Sequence, residues 1–179
     1  AVGSTAIGYK SGQSVTTGSA NHLLGFQVGK SLTVGRYNTA IGYLALDAAV
    51  EDSNNVAIGY NALSAQNGGG SDGSATDTNN TAVGYNAGLS ITTGTNNTII
   101  GANALDAGTT VNNSVIIGKD AMGAVPSGQA VEYAVAIGVG ALAGSASTTD
   151  GINGTVAVGF NAGNDLTTGV NNTLVGYMS

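Results

Sequence analysis

Asn79-Asn80-Thr81-Ala82-Val83-Gly84-Tyr85-Asn86-Ala87 is a unit that this chain repeats, with drift, nine more times. With Gly84 as position 0, the equivalent glycines are Gly8, Gly25, Gly42, Gly59, Gly101, Gly118, Gly138, Gly159 and Gly176. In chain order, Gly84 included, they stand 17, 17, 17, 25, 17, 17, 20, 21 and 17 residues apart. A fixed short period with occasional insertions marks a solenoid, in which each repeat is one coil stacked on the last. The fold expected is all-β, a parallel β-roll or β-solenoid of about ten 17-residue coils.

Within the unit, position −1 is aliphatic in every copy: Ile7, Leu24, Ile41, Ile58, Val83, Ile100, Ile117, Ile137, Val158 and Val175. Position −3 is mostly Thr or Val (Thr5, Val56, Thr81, Val115, Val156), with His22 the exception. Positions −3 to +1 therefore read as a short strand rich in β-branched residues and closed by a glycine. Strand alternation places −3 and −1 on one face, taken as the inside of the coil. The opposite face is apolar too. Position −2 is Ala6, Leu23, Ala40, Ala57, Ala82, Ile99, Ile116, Ala136, Ala157 and Leu174, beside the invariant glycine. A strand apolar on both faces is buried on both, and one coil can cover only one of them. The −2 row is thus expected to be an inter-chain face, and the chain an oligomer.

Position −4 is Asn in six copies (Asn21, Asn38, Asn55, Asn80, Asn97, Asn172) and Ser in two, Ser4 and Ser114. Asn suits turns, and stacked coil on coil it forms an amide ladder like those of cross-β stacks. The five N-x-[ST] matches that result, Asn79 to Thr81 among them, read as turn chemistry rather than glycan acceptors. Downstream, the coils divide into two kinds. One has Gly at +4 (Gly12, Gly29, Gly88, Gly163) and an aliphatic at +7 (Val15, Leu32, Ile91, Leu166). The other has Leu46, Leu63, Leu105, Met122 or Leu142 at +4, and all three insertions follow this second kind. Both kinds are expected to fill one core site by different routes. Residues 1–179 read as a single repeat array with insertion loops near 67–78, 123–133 and 145–154, the first standing clear of the body. The array starts and stops within repeats, as a piece of a longer fibre would.

The strand Val135-Ala136-Ile137-Gly138, with its variants Thr39-Ala40-Ile41-Gly42 and Val156-Ala157-Val158-Gly159, resembles the repeat of YadA-type trimeric autotransporter adhesin heads. The longer form at 79–87 is similar to repeats of phage tail fibres and related bacterial surface fibres. The resemblance spans essentially the whole chain. It implies a left-handed β-roll with three chains about one axis, hence a homotrimer, whereas the two-faced strand by itself implies only some partner chain.

Composition narrows the function. Hydrophobic residues at 42% and charged residues at 8% describe a folded chain, not a disordered tract. Thirty glycines without a Gly-X-Y period exclude collagen. There is no cysteine, hence no disulfide framework and no thiolate metal site. Four basic residues against ten acidic ones argue against a nucleic-acid partner. No apolar run reaches the roughly 18 residues of a membrane-spanning helix, so no membrane insertion by this segment is expected.

Seven of the nine aromatics sit at +1: Tyr9, Phe26, Tyr43, Tyr60, Tyr85, Phe160 and Tyr177. They read as an aromatic ladder packing coil on coil, broken at Ala102, Lys119 and Val139, in preference to a sugar-stacking strip. Gly138-Val139-Gly140-Ala141-Leu142-Ala143 matches G-x-G-x-x-A, but lacks the following helix and the acidic residue that dinucleotide binding needs. Gly68 to Gly73 looks like calcium-binding glycine repeats without their full pattern, so Asp72 and Asp77 read as a solvated loop. His22, the single histidine, has no recurring carboxylate partner and reads as a packed or inter-chain residue. No nucleophile–base pair is legible, and neither an enzyme nor a cofactor is expected. The function expected is a structural segment of an extracellular trimeric fibre for host or surface attachment. A phage tail fibre on the virion is favoured over an adhesin head on a bacterial surface, with a host-surface glycan or protein as receptor. An ice-binding solenoid is the third reading, disfavoured because its Thr rank is expected to face inward.

Overall fold

The computed structural model describes residues 2–68, 73–126, 128–144, 152–167 and 169–179. Fourteen short strands and no helix occur among them. They are β1 (Thr5–Ile7), β2 (His22–Phe26), β3 (Thr39–Tyr43), β4 (Asp52–Ser53), β5 (Val56–Ile58), β6 (Thr76–Asp77), β7 (Thr81–Val83), β8 (Thr98–Ile100), β9 (Thr110–Asn112), β10 (Val115–Ile117), β11 (Ala130–Glu132), β12 (Val135–Ile137), β13 (Val156–Val158) and β14 (Thr173–Val175). Ten of these form one sheet in the order β1-β2-β3-β5-β7-β8-β10-β12-β13-β14, every neighbour parallel. Nine turns of a β-solenoid thus separate ten stacked strands.

The register is that of the repeat. Ile41 lies beside Ile58 and Val83 beside Ile100. The insertions do not shift it: Ala57 pairs with Ala82, Ile116 with Ala136 and Ala136 with Ala157. Between coils the backbone is stitched beyond the strands as well, as where Gly84 N–H donates to Ile58 O at 2.9 Å and Asn86 N–H to Tyr60 O at 2.8 Å. The position-0 glycines make this close stacking sterically feasible. Gly84 has φ +144°, and a Cβ there would run into the carbonyl of Gly101 in the next coil.

The strand faces are the reverse of the sequence expectation. Leu23, Ala40, Ala57, Ala82, Ile99, Ile116, Ala136 and Ala157 are fully buried within the single chain, in its hydrophobic core. Ala6 and Leu174, in the first and last coils, belong to the same row and have a coil on one side only. The −2 row is therefore core, not an inter-chain face. The physical reason is room: the interior of a narrow coil also holds the +4 and +7 side chains, leaving space for Ala or one Leu/Ile at −2. The bulkier β-branched −1 and −3 residues point outward.

The two kinds of coil fill that interior in complementary ways. Where +4 is Leu46, Leu63, Leu105, Met122 or Leu142, the residue is fully buried and sits in the left-handed region, φ 49–54°. The matching +7 residue is then small in two of these coils, Ala49 and Gly108. Where +4 is glycine, a large +7 residue such as Leu32 or Ile91 is fully buried instead. The space above Gly88 is taken by the tips of Leu63, Ile99 and Ile91.

The −4 amides form the inward ladder. Asn38 Nδ2 donates to Asn21 Oδ1 at 3.0 Å, Asn55 Nδ2 to Asn38 Oδ1 at 3.1 Å, and Asn97 Nδ2 to Asn80 Oδ1 at 3.0 Å. Each Oδ1 also accepts from a backbone N–H one coil on, as Asn38 N–H to Asn21 Oδ1 at 3.0 Å. These amides are buried, and the ladder satisfies polar atoms that would otherwise be costly inside the core.

The first insertion is anchored rather than clear of the body. β6 pairs with β4, Gly68 N–H donates to Asp52 Oδ1 at 2.8 Å, and Gly73 N–H to Glu51 Oε1 at 2.9 Å. Residues 69–72, including Asp72, lie outside the described residues. The second insertion returns through β11, which pairs with β9. Most of the third, 145–151, also lies outside the described residues.

Candidate interaction surface

Turning the strand over gives the chain a different outer face from the one read in sequence. Its central row is position −1, where Ile41 and Ile100 keep 38% and 39% of their surface in the single chain. Leu24, Ile58, Val83, Ile117, Ile137 and Val158 are half-buried. On one side runs the −3 row, and on the other the +1 row. In the +1 row Tyr9, Phe26, Tyr43, Tyr60 and Tyr85 form one continuous stack, with ring centroids 5.0–5.2 Å apart and planes within 19° of parallel. The stack stops at Ala102, Lys119 and Val139 and resumes with Phe160 on Tyr177 at 5.1 Å. The centroid distances follow the coil rise of about 4.8 Å, so the ladder is a direct product of the repeat. All seven rings remain exposed at their outer faces.

The −3 row is Thr5, His22, Thr39, Val56, Thr81, Thr98, Val115, Val135, Val156 and Thr173, all exposed or half-buried. Its threonines thus face outward, contrary to the inward placement expected for them. The regular array that ice binding needs is nonetheless interrupted by Val56 and by three successive valines from Val115 to Val156. His22 lies exposed in this row between Thr5 and Thr39.

Polar chemistry is sparse on this face. Lys119 pairs with its neighbour Asp120 at 2.6 Å, both well exposed, and the ion pair holds the Asp120 carboxyl below the usual range. Exposed pairs of this kind contribute little to stability. The Gly138–Ala143 segment forms the same turn as other coils, and no helix occurs among the described residues. No group of three or more His, Cys, Asp or Glu able to hold a metal occurs among the described residues.

One buried polar cluster escaped the sequence reading. Gln66 stands at +7 of the Leu63 coil, where other coils with a large +4 residue have Ala49, Gly108 or Val125. Its Nε2 donates to Asp52 Oδ1 at 3.2 Å and to Thr92 O at 3.0 Å, while its Oε1 accepts from Asn80 Nδ2 at 2.8 Å. Asp52 is fully buried, and its Oδ2 has no hydrogen-bond partner among the described residues. Burial pushes its carboxyl up, against the opposing pull of the Gly68 N–H and Gln66 hydrogen bonds. A long polar side chain at +7, where coils of the same kind carry Ala49, Gly108 or Val125, was the signal that could have found this cluster. Its position at the foot of the first insertion makes it an anchor for that loop.

No family model matches the chain, nor does any curated protein or solved structure.

Proposed function

We propose that this chain is a structural segment of a homotrimeric fibre used for host or surface attachment, with three copies packed through the −3, −1 and +1 rows. The observation that carries the reading is the outer face of the ten-stranded sheet. It presents an aliphatic residue at −1 in every coil and an aromatic at +1 in seven, half-open to solvent in one chain. Contiguous apolar surface of that length is characteristic of an interaction face. A face repeated identically at each coil suits a partner with the same period, and a second copy of this chain has it. Threefold closure comes from the resemblance of Val135-Ala136-Ile137-Gly138 and its variants to YadA-like head repeats. An appendage of a virion, a tail fibre, is favoured, and the head of a bacterial trimeric adhesin is the alternative; both place the segment outside the cell.

The test is the mass of the chain in solution by light scattering. The wild type is expected at three times the 17.3 kDa of one chain. Ile58→Asp with Val83→Asp and Ile100→Asp places three adjacent charges on the outer face, and is expected to give a folded monomer with unchanged circular dichroism. A wild type that is monomeric at micromolar concentration sinks the trimer, and a triple variant that keeps the wild-type mass sinks the assigned face.

A further inference from the structure

A second rank of exposed side chains runs along one corner of the coil, at position −5, outside the rows assigned above. Its central run is Tyr37, Asn54, Asn79, Asn96, Asn113 and Tyr133, with Gly3 and Ala20 before it and Gly154 and Asn171 after it; Asn54 is half-buried and the other five of the run are exposed. Their alignment is set by the backbone: Asn54 N–H donates to Arg36 O at 2.9 Å, Asn96 N–H to Thr78 O at 2.9 Å, Asn113 N–H to Thr95 O at 2.9 Å and Tyr133 N–H to Asn112 O at 3.2 Å. Each residue therefore stands directly over the equivalent one in the coil before it. All six have φ between 53° and 63°, the left-handed region.

Asn adopts that conformation readily, whereas a bulky residue does so at a cost. Leu46, Leu63, Leu105, Met122 and Leu142 share the conformation and are fully buried, while Lys10 shares it exposed and Gln27 and Leu44 half-buried. Tyr37 and Tyr133 stand in the open, 63% and 62% exposed, and stack on no other ring among the described residues. Between the two rings, Asn79 Nδ2 donates to Asn96 Oδ1 at 3.0 Å, and no side-chain hydrogen bond of Asn54 or Asn113 occurs among the described residues. The run thus offers four amides in a row, with an aromatic face on either side of them.

We propose that this corner binds an extended neutral polysaccharide, the Asn amides matching ring hydroxyls and the two tyrosines stacking on sugar faces at either end. Amides supply both a donor and an acceptor to a hydroxyl, and an aromatic face packs against the apolar C–H face of a sugar. The rank repeats every coil, about 4.8 Å, comparable to the advance of one pyranose ring along an extended chain. It carries no charge of its own: Arg36 neighbours one end and Glu132 the other, which favours neither anion nor cation along its length. The proposal deepens the attachment reading and rests on it for its biological sense, but the rank lies on a single chain and does not need the trimer.

The experiment is native electrophoresis in gels cast with soluble neutral polysaccharides (hydroxyethyl cellulose, glucomannan, dextran, soluble starch), with alginate and heparin as anionic arms. Retardation is expected in at least one neutral gel, weakened about tenfold for each ring lost in Tyr37→Ala and Tyr133→Ala. Tyr37→Phe is expected to retain it. Gln13→Ala, exposed and outside both the −5 rank and the −3, −1 and +1 rows, is expected to leave it unchanged. Absence of retardation in every neutral gel overturns the proposal. So does retardation that the double Tyr37→Ala/Tyr133→Ala variant keeps, or retardation confined to the anionic gels and abolished by Arg36→Ala. Light scattering on the same samples separates the two readings: a retarded monomer retains the corner site and refutes the assembly, and an unretarded trimer does the reverse.

Discussion

The −2 and −1 rows of the same strands are one residue apart and apolar in every copy, yet they do opposite work. The −2 row, Ala57, Ala82, Ile99 and their equivalents, is sealed inside one chain. The −1 row, Ile58, Val83, Ile100 and theirs, is half-open to solvent. What distinguishes the two is size and company. The inner row shares its space with the +4 and +7 side chains and the Asn ladder, so it is small or compensated coil by coil. The outer row is uniformly branched and runs between the aromatic stack and the −3 row. Hydrophobicity alone marks a residue as able to be buried; the volume available on each side decides where it goes.

The largest expected effect is at the inner row. Ala82→Asp places a carboxylate between Ala57 and Ile99 with no cation in reach of the core, at a cost of at least several kcal/mol. Loss of the β circular-dichroism signal is expected. Val83→Asp, next door on the outer row, is expected to leave the fold of the single chain intact. If both variants fold equally well, the assignment of faces is wrong.

The next effect sharpens the comparison where the inner face is polar. The Asp52 carboxyl is raised in the folded state by burial, so the folded chain holds this proton more tightly than the unfolded chain. Stability from this group is therefore lost as pH rises from the ordinary Asp value, about 4, through the raised one, at up to about 1.4 kcal/mol per pH unit. Asp52→Asn keeps an oxygen for the Gly68 and Gln66 hydrogen bonds and cannot ionise. Thermal melts between about pH 4 and 7 are expected to show a flatter pH dependence for the variant and a higher melting temperature at neutral pH. A wild type and variant with parallel profiles would contradict the burial of this carboxylate.

The smallest effect belongs to the ladder. Tyr60 stacks on Tyr43 and Tyr85, and its removal in Tyr60→Ala is expected to lower stability by about 1–3 kcal/mol for two ring contacts. Phe160→Ala, which removes a single ring contact, should cost about half as much. Denaturant melts of the two variants side by side check the ratio, and equal losses would show that the rings act separately.

Much of the fold could be read before any coordinates. The period of 17 and its three insertions placed every strand of the main sheet, and parallel pairing with its register follows from stacking like on like. The Asn ladder and the two kinds of coil, though not the inward facing of the ladder, were legible for the same reason: a repeat exposes each position's requirement ten times over. The facing of the strand was not legible from hydrophobicity, since −2 and −1 are apolar in every copy. A parity argument was present in the sequence and went unused. The −4 amides need buried partners, and −4, −2 and 0 share one side of a strand, so an inward ladder carries the −2 row inward with it.

The amino-acid sequence by itself determined the coil, its period, its register and the ranks that run along it, because a local pattern repeated at fixed spacing admits one way of stacking. Only the tertiary structure decided which rank is core and which is surface. That choice depends on how much volume the closed coil encloses once Leu46, Ile91, Asn80 and Gln66 are all inside it. The same closure buried Asp52 beneath its insertion and left Tyr37 and Tyr133 outside on a corner. Enclosed volume is a property of the whole turn rather than of any residue within it.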